Sequence, residues 1–276
     1  MTQHLMRHLE NKTALVTGST SNIGRAVAIA FGGAGAHVIV SGRDDDRGEA
    51  VAVRVREAGG KADYIRASLD GTPAASRALA REAAGRLGGR IDILVNNAGI
   101  FPAATTLTTD EETFDRVFAV NVKAPFFLTQ AVAPLMISAG GGVIINLGSW
   151  IARLGIPVGS LYSSTKGALE TLTRAWAAEF GPQGVRVNAI SPGVIRTPDW
   201  DPAAKYPGEA YMRGTPAGRA GHPDAIAAAA VYLASDEAAF VHGTVLDVDG
   251  GRVGVAVTAD GGPARRRPGT DAASAS

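Results

Sequence analysis

The chain contains no cysteine among its 276 residues. It can therefore form neither a disulfide framework nor a metal site built from thiolates. A cysteine-free composition is compatible with the reducing cytoplasm, and we predict a cytoplasmic location. His4 and His8 have helical spacing, but no carboxylate or third ligand accompanies them, so we predict no metal site.

An excess of charge of one sign is also missing. The 27 basic and 26 acidic side chains leave a formal charge of +1, so nucleic acid is not an expected partner. The longest nearly unbroken apolar stretch, residues 225–234, is far shorter than the ~20 residues that a membrane helix needs. Residues 1–12 carry charges where a signal peptide needs an apolar region. We therefore predict no membrane association.

Short runs rich in Val and Ile alternate with longer helical patterns. The runs lie at residues 14–17, 38–41, 91–96, 143–147, 185–191 and 245–248, and the helical patterns at 25–33, 46–58, 111–139, 162–180 and 223–233. Apolar strands that are each followed by a crossover helix imply a parallel sheet covered on both faces. The sequence thus predicts a single-domain α/β fold, a Rossmann-type doubly wound parallel sheet flanked by helices. Its ligand crevice should lie at the carboxyl ends of the strands.

The predicted domain has a short lead and a tail. We place the lead at residues 1–11, the folded domain at 12–251 and a flexible tail at 252–276, where Ala, Gly, Arg, Pro and Ser dominate. Residues 197–220 contain too many prolines for a continuous helix. That segment is predicted to be a loop or lid with short helical pieces.

A glycine-containing turn follows the first predicted strand. It consists of Gly18, Ser19, Thr20, Ser21, Asn22, Ile23 and Gly24 and leads into a helix. Glycines allow a tight turn, and the free N–H groups at the helix start can bind a pyrophosphate. The spacing differs from that of an ATP-type P-loop. A dinucleotide site is therefore favoured, although such a turn can also occur without a ligand.

Gly42 and Arg43 end the second predicted strand. A site for NAD needs a carboxylate there for the ribose hydroxyls, and that carboxylate would repel the extra phosphate of NADP. We therefore predict NADP(H) as the preferred cofactor, with Arg43 on the 2′-phosphate, and NAD(H) as possible. The alternative is that Arg43 only caps a surface loop near the acidic residues 44–46.

Tyr162 and Lys166 lie four positions apart, and Ser149 precedes the tyrosine by thirteen. Helical spacing puts the phenol and the ammonium on one face. An adjacent positive charge favours phenolate and should lower the pKa of the phenol from ~10. The pair is thus a candidate proton donor, although this spacing alone occurs by chance in many helices.

Taken together, these motifs resemble the short-chain dehydrogenase/reductase family, in its 3-oxoacyl-carrier-protein reductase-like branch. The resemblance covers residues 12–251. It rests on residues 17–24, 96–99, Asn121, Ser149, Tyr162, Lys166, 188–193 and 248–251, which occur in this order.

This resemblance implies four catalytic residues. Tyr162 would give a proton to a carbonyl oxygen or take one from an alcohol, and Lys166 would lower the tyrosine pKa and bond the nicotinamide ribose. Ser149 would donate to the substrate oxygen. Asn121 would hold a water that links Lys166 to solvent.

The resemblance also implies cofactor contacts by Asn97, Ile195 and Thr197. Asn188 is expected to be structural. Two positions depart from the family pattern. Asn22 stands where glycine is common, but asparagine tolerates positive φ. Ser68 and Leu69 stand where the family often has an aspartate at the adenine, which leaves adenine recognition open.

The leading functional hypothesis is a ketone reductase or secondary-alcohol dehydrogenase, with a small carbonyl or alcohol substrate. An alternative is a dehydrogenase for a sugar, polyol or steroid that acts oxidatively, and a distant one is a non-catalytic dinucleotide sensor. We expect Trp150, Ile151, Leu154, Ile156 and residues 199–212 to border the substrate. Family resemblance predicts a homotetramer.

Overall fold

Seven parallel strands form one sheet in the order β3-β2-β1-β4-β5-β6-β7. The structure is a computed structural model that describes residues 8–157, 159–198, 204 and 206–256. The strands are β1 Thr13–Val16, β2 His37–Gly42, β3 Lys61–Arg66, β4 Ile93–Asn96, β5 Gly142–Leu147, β6 Val185–Pro192 and β7 Val245–Val248. The chain starts in the middle of the sheet, builds outward to β3, and returns to build the other half from β4. The predicted doubly wound fold is confirmed.

Helices cover both faces of the sheet. They are α1 Asn22–Gly33, α2 Asp45–Glu57, α3 Pro73–Arg86, α4 Glu111–Phe118, α5 Ala124–Ser138, α6 Ser160–Phe180 and α7 Pro223–Ala234. Successive residues of a strand face opposite sides. Val38 and Val40 accordingly join one core with α1, α2 and α7, whereas Ile39 joins another with α3, α5 and α6. This double burial explains why the strands are apolar without alternation.

The pattern of apolar runs did not single out β3 and α3. β3 is the outer strand beside β2, and it exposes Lys61 and Arg66 at its ends. An edge strand with polar ends has no continuous apolar run. The helix that follows is rich in alanine and arginine, so its apolar face is weakly marked.

The helix predicted at residues 111–139 is divided. A π-helical turn, Ala119–Lys123, separates α4 from α5. By length and apolarity alone, Glu111–Ser138 could span a membrane, and the search for apolar runs in the sequence overlooked it. In the structure this segment supplies Leu128, Val132 and Met136 to the second core. Core helices of globular domains pass the same test of length and composition.

The folded domain begins earlier than predicted. Leu9 is fully buried in the first core, and its N–H donates to the carbonyl oxygen of Ala34 at 3.0 Å. Residues 8–11 therefore belong to the domain and not to a separate lead. Of the predicted tail, only residues 252–256 lie within the described part of the chain.

Two glycines of α1 give a matched test of its close packing. A Cβ on Gly24 would lie 2.4 Å from the carbonyl oxygen of Gly18, whereas a Cβ on Gly33 would meet nothing closer than 3.8 Å. Gly24→Ala should therefore lower the free energy of unfolding by about 1–3 kcal/mol, and Gly33→Ala should leave it unchanged or raise it slightly. Denaturant unfolding curves measure both. Equal stability of the two variants would contradict this packing.

Candidate active site

A cavity of about 1000 Å³ opens at the carboxyl ends of the central strands. Its walls come from the loops after β1, β2, β3 and β4, and from Tyr162 and Lys166 on α6. β1 and β4 are neighbours in the sheet, and the chain order runs outward from them in both directions. The cavity therefore lies at the topological switch point, where doubly wound sheets bind ligands.

The turn after β1 forms the wall nearest α1. Gly18 has φ +61°, and a Cβ there would lie 2.8 Å from the Cα of Ala98. Asn22, which stands where glycine is common, also has a positive φ of 45°. Asparagine tolerates this conformation better than most residues. The cavity is lined here by Gly18, Thr20, Ser21, Asn22, Ile23 and Gly24. This turn leaves the backbone N–H groups at the start of α1 beside the cavity.

Ser19 is placed differently from its prediction as a cofactor contact. It is fully buried, and its hydroxyl donates to the carbonyl oxygen of Val16 at 2.7 Å and accepts the N–H of Ser41 at 2.9 Å. Its own N–H donates to the carbonyl oxygen of Ser41. Ser19 therefore joins β1 to β2, and it is not among the residues that line the cavity.

Among the described residues that line the cavity, Ile195 and Thr197 are also missing. Ile195 is buried and pairs with Gly221 in an isolated bridge. Nearby, the described lid segment contains the short 3-10 helix Pro207–Met212, in agreement with the short helical pieces predicted there.

Asn97 ties the two loops of this wall together. Its side-chain amide donates to the carbonyl oxygens of Thr17 at 2.8 Å and of Gly18 at 3.0 Å. Its N–H donates to the hydroxyl of Thr17 at 3.0 Å. Asn97 also lines the cavity. Because both amide hydrogens are used within the protein, only its Oδ1 is left to face a ligand.

Arg43 lies at the far end of the cavity and is exposed. Its acidic neighbours are engaged by other arginines. Asp44 accepts from the side chain of Arg47 at 2.8 Å, and Asp45 pairs with Arg66. Asp44 is also the residue that caps α2. Within the described residues, Arg43 thus has no carboxylate partner.

Two further features shape this end. A Cβ on Gly42 would lie 2.5 Å from Cγ2 of Thr20, so the turn as it stands has no room for a carboxylate side chain at position 42. Ser68 and Leu69 line the cavity beside Ala67 and Asp70. Both residues are thus within reach of a ligand in the cavity, and adenine recognition by them stays a prediction.

Tyr162 lies on the first turn of α6. The helix follows Gly159, which has φ +90°. The ring of Tyr162 lies 4.7 Å from the ring of Phe101, centroid to centroid. Burial raises the pKa of Tyr162 to about 12, and the Ser149 hydrogen bond opposes this shift. The two predicted hydroxyls are therefore brought together.

Lys166 lies one turn further along α6 and is buried. Its Nζ donates to the carbonyl oxygen of Leu147 at 2.6 Å and lies 5.5 Å from the ring centroid of Tyr162. Burial lowers the pKa of Lys166 to about 8. The lowered tyrosine pKa that the sequence predicted is not found, because burial raises the pKa of Tyr162 and the hydrogen bond from Ser149 only opposes that rise.

Asn121 lies in the π-helical turn and is buried. Its Oδ1 accepts the N–H of Ile100 at 2.9 Å, and its amide donates to the carbonyl oxygen of Ile100 at 3.0 Å and to Thr165 at 3.1 Å. A Cβ on Gly99 would lie 3.4 Å from this Oδ1 and 3.7 Å from Nζ of Lys166. The side chain is thus largely used to join the loop after β4 to α6, and only one lone pair of Oδ1 is left for a water.

Other polar residues hold the framework. Asn188 donates to the carbonyl oxygen of Val241 at 2.8 Å and accepts the N–H of Thr244 at 3.1 Å, which is the structural role predicted for it. Of the predicted substrate border, Trp150 and Ile151 are buried, and Trp150 packs on Tyr211. Residues 199–203 lie outside the described residues.

The sequence did not point to Arg153 or Glu170, which lie behind Ser149. Arg153 bonds Asp247 and Ser191, and Glu170 is a buried carboxylate on α6. These partners are far apart in the chain, so no local spacing could have revealed them.

Comparison with known proteins shows which family the chain is similar to. A family model described as enoyl-(acyl carrier protein) reductase matches residues 18–252. The chain is 38% identical to D-threitol dehydrogenase of Mycolicibacterium smegmatis over 88% of this chain and 93% of that protein. It is 36% identical to 3-oxoacyl-[acyl-carrier-protein] reductase of Thermotoga maritima, over 89% and 99%, and 35% identical to cyclopentanol dehydrogenase of Comamonas testosteroni, over 89% and 98%.

A solved structure shares the fold. The short-chain dehydrogenase/reductase from Serratia marcescens BCRC 10948 superposes with a TM-score of 0.83 at 35% identity, and the match covers 89% of this chain and 99% of that one. These matches extend over almost the whole length of the relatives, and the chain has the seven-stranded parallel sheet of the fold. The chain therefore belongs to the short-chain dehydrogenase/reductase family, in its 3-oxoacyl-carrier-protein reductase-like branch, and is an NAD(P)-dependent oxidoreductase.

Proposed function

We propose that this protein transfers hydride between NADP(H) and a ketone or secondary alcohol, with Tyr162 as the proton donor and acceptor. The observation that carries the proposal is that Tyr162 and Lys166 line one cavity with the glycine turn after β1 and with Arg43. The hydroxyl of Ser149 is close enough to the phenol to oppose the rise of its pKa. Two neighbouring hydroxyls can both donate to a single substrate oxygen, which is the requirement for stabilising a developing alkoxide.

The residues of the cavity fit a dinucleotide. The positive φ of Gly18 and Asn22 and the close contact at Gly24 keep the turn after β1 low enough for the approach of a pyrophosphate. Arg43 would hold the 2′-phosphate, Ser68 and Leu69 the adenine, and Asn97 and Lys166 the ribose near the reactive end. The cofactor supplies the hydride when it is bound.

The protein's own groups handle the proton. With a pKa raised to about 12, the phenol of Tyr162 keeps its proton at neutral pH and can donate it to the oxygen of a bound ketone. Ser149 donates a second hydrogen bond to that oxygen. The ammonium of Lys166, 5.5 Å from the ring centroid, stabilises the phenolate that remains. The protonated phenol suits the reductive direction.

A second candidate is an oxidative dehydrogenase for a cyclic alcohol or polyol. Relatives with those activities in their names are cyclopentanol dehydrogenase and D-threitol dehydrogenase. The ring of Phe101 packs at 4.7 Å on that of Tyr162 and gives the reactive end an apolar wall. That wall favours a cyclic, apolar substrate over a polyol.

We also propose a cytoplasmic location, with which the cysteine-free composition is compatible.

The first test removes the phenolic hydroxyl. Tyr162→Phe keeps the ring that packs on Phe101, so it should lower kcat for ketone reduction by about 10²- to 10⁴-fold, the usual contribution of a positioned proton donor, while NADPH still binds. A panel of ketones that includes cyclopentanone, followed by NADPH absorbance, measures turnover. Tyr232→Phe, in an exposed tyrosine of α7, is the control. Unchanged turnover in Tyr162→Phe would refute the mechanism, and tight NADPH binding without any wild-type turnover would favour a sensor.

The second test concerns the choice of cofactor. Arg43→Ala removes a cation that would make charge-assisted hydrogen bonds to the 2′-phosphate, so KM for NADPH should rise by about 10- to 100-fold while KM for NADH stays the same. Arg54→Ala, on the exposed side of α2, is the matched control. If the ratio of the two KM values does not change, Arg43 does not select the cofactor.

The third test concerns assembly, for which we propose a homotetramer. Phe114 on α4 and Phe126 on α5 are half-exposed, and Phe240, shortly before the outer strand β7, is fully exposed. Large apolar groups on two separate faces fit two different subunit contacts. Light scattering at micromolar concentration should give four times the chain mass of 28.2 kDa, and Phe240→Ser should give a smaller species. A monomeric wild type would contradict the proposal.

A further inference from the structure

The turn that carries Ser149 ends at a guanidinium with partners on three other elements. Ser149 opens the 3-10 turn Trp150–Ala152, and Arg153 closes it by donating its N–H to the carbonyl oxygen of Trp150 at 3.2 Å. From there the Arg153 side chain reaches β6, β7 and α6. No role in the proposed reaction has so far been assigned to it.

The strongest contacts of Arg153 are to β7, an outer strand of the sheet, and to its neighbour β6. Nη1 donates to Oδ2 of Asp247 on β7 at 2.9 Å, and Nη2 donates to Oδ1 of the same carboxylate. Nη2 also donates to the hydroxyl of Ser191 on β6 at 3.0 Å. Single surface ion pairs contribute little, but a bidentate arginine fork with a further buried partner is geometrically defined. Ser191 is fully buried.

The third partner is the helix that carries Tyr162. Glu170 lies on α6 one turn after Lys166, and its Oε2 is 3.9 Å from Nε of Arg153. The carboxylate is buried, its Oε1 has no hydrogen-bond partner, and a Cβ on Gly148 would lie 3.0 Å from that oxygen. Burial raises the pKa of Glu170, and the positive charge of Arg153 opposes this. Arg153 is thus the counter-charge for a carboxylate packed against the residue before Ser149.

We propose that Arg153 is a positioning residue, which holds the turn that carries Ser149 in register with α6 so that the hydroxyls of Ser149 and Tyr162 stay paired. The inference rests on the proposed function, since it assigns Arg153 a role in the same proton-donating site. The turn is short, Gly148 has no side chain to anchor it, and the Gly148 N–H bond to the carbonyl oxygen of Ile190, at 2.8 Å, restrains only its start. The guanidinium restrains its end.

The position of this end matters because the reacting groups must be aligned closely. A displacement of about 1 Å can cost 10²-fold in rate. Arg153 does not line the cavity, so its removal should lower activity mainly by displacing Ser149. An effect transmitted through one residue disappears when that residue is already absent, whereas an effect on the whole fold does not.

The test is a double-mutant cycle. Arg153→Ala should lower kcat for ketone reduction by about 10-fold or more with the Kd for NADPH unchanged. The same substitution in a Ser149→Ala background should change kcat by less than about 2-fold. Arg153→Lys keeps the charge beside Glu170 but not the fork, so it should fold normally and give an intermediate kcat. Additive losses in the cycle, or a wild-type kcat in Arg153→Lys and Arg153→Ala, would overturn the proposal.

A second measurement needs no turnover. Hydrogen exchange of a peptide covering residues 148–154 should be faster in Arg153→Ala and Arg153→Lys than in wild type. Arg81→Ala, in an exposed arginine of α3, should leave the exchange of this peptide unchanged. If the wild type reduces no ketone, the proposed function fails while the exchange data still decide whether Arg153 holds the turn. Unchanged exchange in both Arg153 variants would overturn the inference, whatever the activity.

Discussion

The bond from the buried ammonium of Lys166 to the carbonyl oxygen of Leu147 determines the geometry of the site. It joins the last residue of β5 to α6 at a distance of 2.6 Å. Ser149 lies two residues beyond Leu147, and Tyr162 lies one turn before Lys166. The bond therefore holds the segments that carry the two hydroxyls next to each other. Burying a charge is costly, and the lowering of the Lys166 pKa to about 8 reflects that cost.

The cofactor end is held by a different kind of interaction. The side chains of Asn97 and Ser19 form hydrogen bonds with backbone atoms of neighbouring strands and loops. These neutral bonds keep the loops at the switch point rigid and close together, while Thr20, Ser21 and Arg43 face the cavity. Within the turn after β1, Ser19 supports the loop while its neighbours line the cavity, so one continuous motif supplies both the site and its support. Preorganisation of this kind reduces the ordering cost of binding.

The sequence was sufficient for the fold, and it singled out the turn after β1, Tyr162 and Lys166, which line one cavity, since these depend on local patterns. Apolar runs mark strands that are buried on both faces, and glycine spacing marks the turn after β1. The parts that could not be predicted depend on contacts distant in sequence or on polar edges. β3 lacks an apolar run because it is an outer strand, Leu9 is a single buried residue in a polar segment, and Arg153 meets Asp247 across 94 positions. No local pattern carries the information for such pairs.

The tyrosine illustrates the same limit in chemical terms. Helical spacing placed an ammonium near the phenol correctly, but spacing does not measure burial. In the folded chain the loss of water around Tyr162 raises the pKa of the phenol to about 12, and the hydrogen bond from Ser149 only opposes this rise. Burial therefore works against the phenolate form that the spacing alone predicted.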